Sequence, residues 1–447
     1  MNNLDSTLYK FYLFCLPLGQ LFRFLSEDGP MWWQFSTIVM VFGLMRIVLT
    51  RPTITNDGIR AFARIYIFMA IYTLIVSTIL SFSINTGLIA SPLRRCLGDV
   101  VFYFLALCSI YYNYYGLSKL ISLSELMKLF QLQLIVLLLV GILQLGTLFG
   151  AGIGIYSMLS SIFALKDATY LSTLDRGITF FGSEPAASSL ICFLVMPFLL
   201  FSMTSKKGFV RFGYILVFIV MSLIFLLSNS SSALLSFVAV IIAYLLLYVF
   251  KIRIKKLLMV SSFSFGLFVA ILYSLDISTN NVYESDKDSF GYVLVGKIQD
   301  RDNHSTAMRA STVINDMKIF YDYPITGVGD GNQGYFYRDN MPMWVLGSEE
   351  VQSLMHGNKI ANGGGNFFPA FISAYGIIGI VILFMFIKGY YQSSHKSIIN
   401  QYPMFQMIYT LGIFLFLLSG WYVTGIKLNE TICFLLSLPC VQRIREF

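Results

Sequence analysis

The sequence predicts an all-α polytopic membrane protein with about 12 transmembrane helices and one large, partly helical loop on the outer side. Three observations carry this. Of 447 residues, 57% are hydrophobic and only 12% charged, against roughly 25% charged in a soluble domain; the mean hydropathy is +0.73. Apolar runs long enough to cross a bilayer recur along the chain. The basic residues are distributed unevenly between alternate connections, as topology signals are.

Taken in order, the apolar runs fall near 6–23, 31–49, 64–84, 97–117, 127–149, 185–203, 210–227, 231–250, 257–275, 366–387, 404–422 and 428–441, the last being short. Only Lys10 precedes the core of the first run and no small-residue cleavage site follows, so it reads as an uncleaved first span. An even number of spans puts both termini on one side. With the termini cytoplasmic, 18 of the 31 Lys and Arg residues fall on the cytoplasmic side and 6 in the short outer loops. That bias places the termini inside and the long loop outside. The net charge of +8 therefore reflects topology and does not point to nucleic acid. No internal repeat is visible. Six cysteines lie mostly in apolar runs and none in the long loop, so no disulfide framework holds that loop.

The organisation is then a membrane block over 1–276, interrupted by a smaller outer segment at 150–184, a large loop over 277–365, and a second membrane block over 366–447. The loop holds two of the three histidines and 11 of the 23 carboxylates, which makes it the main place for chemistry outside the lipid. Within it, Ala310, Val313, Ile314, Met317 and Phe320 or Tyr321 recur at helical spacing, with Arg309, Thr312 and Asp316 on the other face. Tyr323-Pro324 ends that helix, and Gly327, Gly329, Gly331 and Gly334 predict a flexible turn. The run from 366 to 387 is expected to be one continuous span.

Several groups carry candidate chemistry. Arg176 and Glu184 stand eight residues apart in RGITFFGSEP, at the outer face where the chain re-enters the membrane. Glu184-Pro185 also suits the first turn of a helix. Arg309 offers a planar, permanently charged fork for phosphate oxygens, or a weak pairing with Asp316 along its own helix. GVGDGNQG has the glycine pattern of a backbone nest for an anion but lacks the Lys-Ser/Thr of a P-loop. GAGIG at 150–154 reads as packing or a turn. Asp286-Lys287-Asp288 and Asp300-Arg301-Asp302 look like the Asp-x-Asp metal motif of sugar-nucleotide transferases, but lie outside and read as solvated acidic loop. His304 and His356 are candidate bases or surface residues. Without an HExxH motif or Cys/His cluster, no zinc site is expected. No carboxylate falls in mid-span, since Asp99, Glu125, Asp276 and Glu430 are near ends; ion-coupled carriers usually keep ionisable groups in the membrane interior.

Arg309 with FYDYPITGVGDGN at 320–332, then Asn366 and the Gly376-Ile377-Ile378-Gly379 pair, resembles the O-antigen polymerase and O-antigen ligase superfamily. RGITFFGSEPAASS at 176–189 is similar to the Arg…Gly…Phe…Glu-Pro segment of surface-polysaccharide polymerases. Ligases carry a His just before the position of Asn366; here that position is Gly365, which points to the polymerase (Wzy) branch. The resemblance implies a GT-C-like glycosyltransferase in the bacterial inner membrane, with the long loop periplasmic and no metal or other cofactor. Its substrates would be undecaprenyl-diphosphate-linked oligosaccharides: the growing glycan as donor and a single lipid-linked repeat as acceptor. Arg176 and Arg309 would hold the diphosphates, whose charge as a leaving group suits cations in place of a metal. Glu184 or a loop histidine, His304 or His356, would take the acceptor proton. Gly327, Gly329 and Asn366 belong to the matching motifs. Tyr335, Phe336, Tyr337 and Trp344 are candidates either to stack on sugars or to pack the loop onto the bundle. Membrane lipid, a Wzz-type chain-length regulator and a Wzx-type flippase are the implied partners.

Two other functions fit many spans and a large outer loop. A ligase would transfer the glycan to lipid A–core. A lipid-linked oligosaccharide flippase belongs to another class, but a carrier has no need of paired arginines in a large outer loop.

Overall fold

The computed structural model describes residues 3–18, 35–50, 56–84, 91–163, 165, 178, 180, 188–227, 231–245, 304–340, 367–394, 397–418 and 430–444. These residues form helices and turns, with no extended strand among them. The principal helices are α1 (Asn3–Cys15), α2 (Phe35–Thr50), α3 (Asp57–Ser83), α4 (Pro92–Tyr115), α5 (Leu123–Leu148), α6 (Ile153–Ile162), α7 (Ser188–Ser205), α8 (Gly208–Leu226), α9 (Ser231–Tyr244), α10 (His304–Asp322), α11 (Phe367–Ser394), α12 (Pro403–Leu418) and α13 (Glu430–Ser437). Of these, α3, α5 and α8 are long and apolar enough to cross a membrane, and shorter apolar helices accompany them. The expected span near 257–275 lies outside the described residues.

The long helices start where their sequences supply caps. Asn56 accepts from the Ile59 amide ahead of α3, and Ser91 with Pro92 opens α4. Ser122 and Glu125 form a reciprocal capping box at α5. Each satisfies an amide that the helix itself cannot. GAGIG makes a turn between α5 and α6, with Gly150 and Gly152 at positive φ. On α3 the residues Ile67, Phe68, Ile71, Ile75 and Ile79 form an exposed apolar stripe, while Tyr66, Met69, Thr73 and Ser77 are buried on the opposite face. This is the inverse of a soluble helix: the apolar stripe suits lipid and the polar groups turn inward.

Polar contacts gather residues of distant sequence at two ends of the bundle. At one end, Asp5 pairs with Arg46 and Lys10 with Glu125, each at 2.5 Å, and Asn56 donates to the Cys440 carbonyl. At the other, the loop after α10 meets the adjoining ends of α3 and α4.

Two expectations are corrected here. The 366–387 run is not one continuous helix: α11 breaks at Gly376, with φ 59° and ψ −147°. And the Gly327–Gly331 segment is not a free turn but is buried. Both have one cause. In an unbroken helix the Ile377 and Ile378 amides would donate to the Ser373 and Ala374 carbonyls. Instead Ile377 donates to Pro324 (2.8 Å) and Ile378 to Ile325 (3.4 Å), while Val328 and Gly329 donate to Ser373 (3.0 Å) and Ala374 (2.8 Å). The loop is spliced into the break, and these four groups of α11 find new partners in it. Bare backbone at this position would cost several kcal/mol per group in a membrane setting, of order 2–7 kcal/mol by transfer.

Candidate active site at the spliced loop

The splice brings polar side chains of four elements together. Asp330 sits in the loop, 9% exposed. Tyr103, on the buried face of α4, donates its hydroxyl to the Asp330 carboxylate. Its oxygen lies 2.6 Å from the Tyr375 hydroxyl on α11, which is 3.3 Å from Thr73 Oγ1 on α3. A phenol has one proton. If Tyr103 gives its proton to Asp330, Tyr375 must donate to Tyr103 and Thr73 to Tyr375, so the chain of hydroxyls runs in one direction, toward the carboxylate.

Further contacts fix the loop. Asn332 Nδ2 donates to Ser77 Oγ (2.8 Å) and to the Val328 carbonyl (2.9 Å). Tyr72 donates to the Thr326 carbonyl at 2.6 Å and Gln333 to the Ala370 carbonyl at 3.1 Å. A Cβ at Gly331 would collide with Asp99 Oδ2, and Arg95 Nε lies 3.5 Å from the same point. Arg95, Asp99 and Tyr103 follow one another at i, i+4 and i+8 on α4, one helical face, and that face is what the loop lies on.

Helix α10 packs against α11 with its polar side inward. Ser311, Thr312, Asn315 and Asp316 are buried, whereas Met317 and Tyr321 are exposed. The surface it meets is itself polar: Ser373 Oγ donates to Asp316 Oδ1 at 3.1 Å. Asp316 Oδ2 is buried with no hydrogen-bond partner among the described residues. Burial, with the charge of Asp330 adding to it, pushes the Asp316 carboxyl up to about 8, against the opposing effect of the Ser373 hydrogen bond.

Of the residues singled out in the sequence, Gly327, Gly329 and Tyr335 are in this assembly. Gly327 and Gly329 have positive φ, and a Cβ on Gly327 would strike the Ala374 carbonyl. Within GVGDGNQG, the Val328 and Gly329 amides donate to α11 carbonyls and the Gly327 amide to the Tyr323 carbonyl, so these three do not face an anion. Tyr335 is partly buried, which raises its phenol, and Arg95 is near enough to oppose the shift. Tyr337 is buried, and Phe336 packs edge-on to Tyr323 at 5.6 Å. His304 begins α10 and Arg309 lies in its second turn; their side chains are outside the described part of the structure. So are Arg176, Glu184, Trp344, His356, Gly365, Asn366 and both Asp-x-Asp pairs. Arg95, Asp99, Tyr103, Asp316, Asp330 and Tyr375 had not been singled out as site residues. The 95/99/103 spacing was the available signal.

The loop, its helix α10 and broken helix α11 form one structural unit. Residues 216–384 match the model of the O-antigen ligase family. The chain is similar to that family over this stretch. No curated protein matches the chain. The O-antigen ligase match takes in α9, α10, the spliced loop and α11 as far as Phe384, and begins within α8. It covers less than half of the chain and leaves out α3 and α4, which supply Thr73, Arg95, Asp99 and Tyr103.

Proposed function

We propose that the chain is a membrane glycosyltransferase of surface-polysaccharide assembly, and within the O-antigen polymerase and ligase superfamily a polymerase. The observation that carries this is the match to the O-antigen ligase family over α10, the spliced loop and most of α11. In this reading the protein lies in the bacterial inner membrane with cytoplasmic termini and a periplasmic loop. It transfers the growing glycan from undecaprenyl diphosphate to the non-reducing end of a new lipid-linked repeat. Arg176 and Arg309 hold the diphosphates by their guanidinium groups, and Glu184 is a candidate acid or base. Their guanidinium forks stabilise the departing diphosphate without a metal. The half-exposed Tyr335, with Asn366 and the loop glycines, borders the acceptor. A Wzx-type flippase supplies the lipid-linked repeat and a Wzz-type regulator sets chain length. The polymerase branch is favoured by Gly365, which stands where ligases carry a histidine.

The test uses purified protein in nanodiscs with its lipid-linked repeat, read on a gel. A ladder of products is expected. In a deletion strain, single repeats on lipid A–core are expected. Polymer accumulating on undecaprenyl diphosphate would assign the ligase reaction instead. Transbilayer movement in vesicles without a change in glycan length would assign a flippase.

A further inference from the structure

We propose that Asp330 is the catalytic residue that takes the proton of the attacking sugar hydroxyl, with Tyr103 as its positioning residue; this rests on the glycosyltransferase reading. In the step, a lone pair of the acceptor hydroxyl oxygen forms the new bond to the donor's anomeric carbon. The bond from that carbon to the diphosphate oxygen breaks, and its electron pair leaves on the diphosphate. The hydroxyl proton passes to the Asp330 carboxylate.

Three features single out Asp330 among the carboxylates gathered here. Its backbone is held by the splice into α11 on one side and by Asn332 on the other, so the group is fixed before substrate arrives. The directional run from Thr73 through Tyr375 and Tyr103 ends on it, so a hydrogen bond orients the carboxylate. And it sits beside the Gly331 backbone, on which Arg95 converges, with the partly exposed Tyr335 following in the loop. The alternatives are worse placed. Asp316 is fully buried behind α11 and bonded to Ser373. Its carboxyl is neutral at pH 7 because it titrates near 8. Asp99 has Oδ2 buried beneath Gly331. Among the described residues, the charged or titratable groups around Asp330 are Arg95, Asp99 and Tyr103 of α4, Asp316 of α10, Tyr375 of α11 and Tyr335.

The test compares full-length wild type, Asp330→Asn, Asp330→Glu, Tyr103→Phe and Glu184→Gln in nanodiscs. Linkage formation is followed in a single turnover across pH, and KM for the lipid-linked repeat is measured alongside. Asp330→Asn is expected to slow the chemical step about 100-fold or more, the usual share of a positioned base, with KM within about threefold. The acidic limb of its pH profile is expected to vanish. Asp330→Glu should restore part of the rate. Tyr103→Phe should move the acidic limb to higher pH, because the carboxylate loses a hydrogen bond; a residue that only packs would not do this. If wild type forms the linkage and Asp330→Asn does so within threefold, the role of Asp330 is overturned and the glycosyltransferase reading stands. Loss of activity in Glu184→Gln alone would likewise overturn it and move the base to Glu184. If Asp330→Asn fails to insert, an unmoved limb in Tyr103→Phe overturns the proposal. Wild type that forms no linkage to either a lipid-linked repeat or lipid A–core overturns both.

Discussion

At Asp316, burial and the negative charge of Asp330 act in the same direction, and the carboxyl titrates at about 8 instead of near 4. The folded state therefore binds a proton that the unfolded chain releases above about pH 4. Stability from this group is full below pH 4, falls between about pH 4 and 8, and stays low above that. We expect thermal melting in detergent to show this slope for the wild type and a much flatter one for Asp316→Asn. Above pH 8 the variant should melt a few degrees higher; parallel curves for the two proteins would count against the assignment. Arg309 calls for a different measurement. A Lys at this position keeps the charge but cannot form two parallel bonds to a phosphate. Arg309→Lys should insert normally and lose about 10- to 100-fold in polymerisation, the equivalent of about 1.5–3 kcal/mol. Normal ladders from that variant would remove Arg309 from the site.

Among the elements, α10 and its end were legible in the sequence. The helical spacing from Ala310 onward and the stop at Tyr323-Pro324 both correspond to the helix His304–Asp322. Its orientation was harder to read, because spacing shows that a helix has two faces but not which one is buried. The break in α11 was not legible at all. Gly376 sits in an apolar run, where a glycine commonly marks close helix packing, and its new partners come from Pro324 and Ile325 of another element. The break makes a strong demand on two residues. Gly376 occupies a region of backbone space that is essentially restricted to glycine, and Gly327 combines φ +61° with a close approach to the Ala374 carbonyl. Gly376→Ala and Gly327→Ala should each destabilise the protein by about 2–4 kcal/mol through left-handed strain and collision. A fall in melting temperature and in detergent-solubilised yield would show it. Unchanged melting would mean that the loop does not dock as described.

For the whole molecule, composition and hydropathy sufficed to give a helical membrane protein, because lipid leaves helices or closed barrels as the only spanning structures. The site was only partly legible. Tyr335, Gly327 and Gly329 stand in a segment whose composition sets it apart. Arg95, Asp99 and Tyr103 are contributed by α4, far away in sequence, and Asp99 looked like an ordinary helix-end carboxylate. The reaction proposed uses arginine charge for the leaving diphosphate, so polymerisation should survive EDTA. A sharp loss that magnesium or manganese restores would bring the Asp286 and Asp300 pairs back into the chemistry. The splice itself has a consequence for genetics. It is made of backbone amides and carbonyls, which no side-chain truncation removes. An alanine scan through Pro324–Gly329 and Ser373–Ile378 would therefore leave the joint's own bonds in place everywhere except at its glycines, and would register only the separate side-chain roles of Ser373 and Tyr375. Selection acting through side chains leaves the same record: much of the segment is free to drift while three residues with no side chain, Gly327, Gly329 and Gly376, stay put.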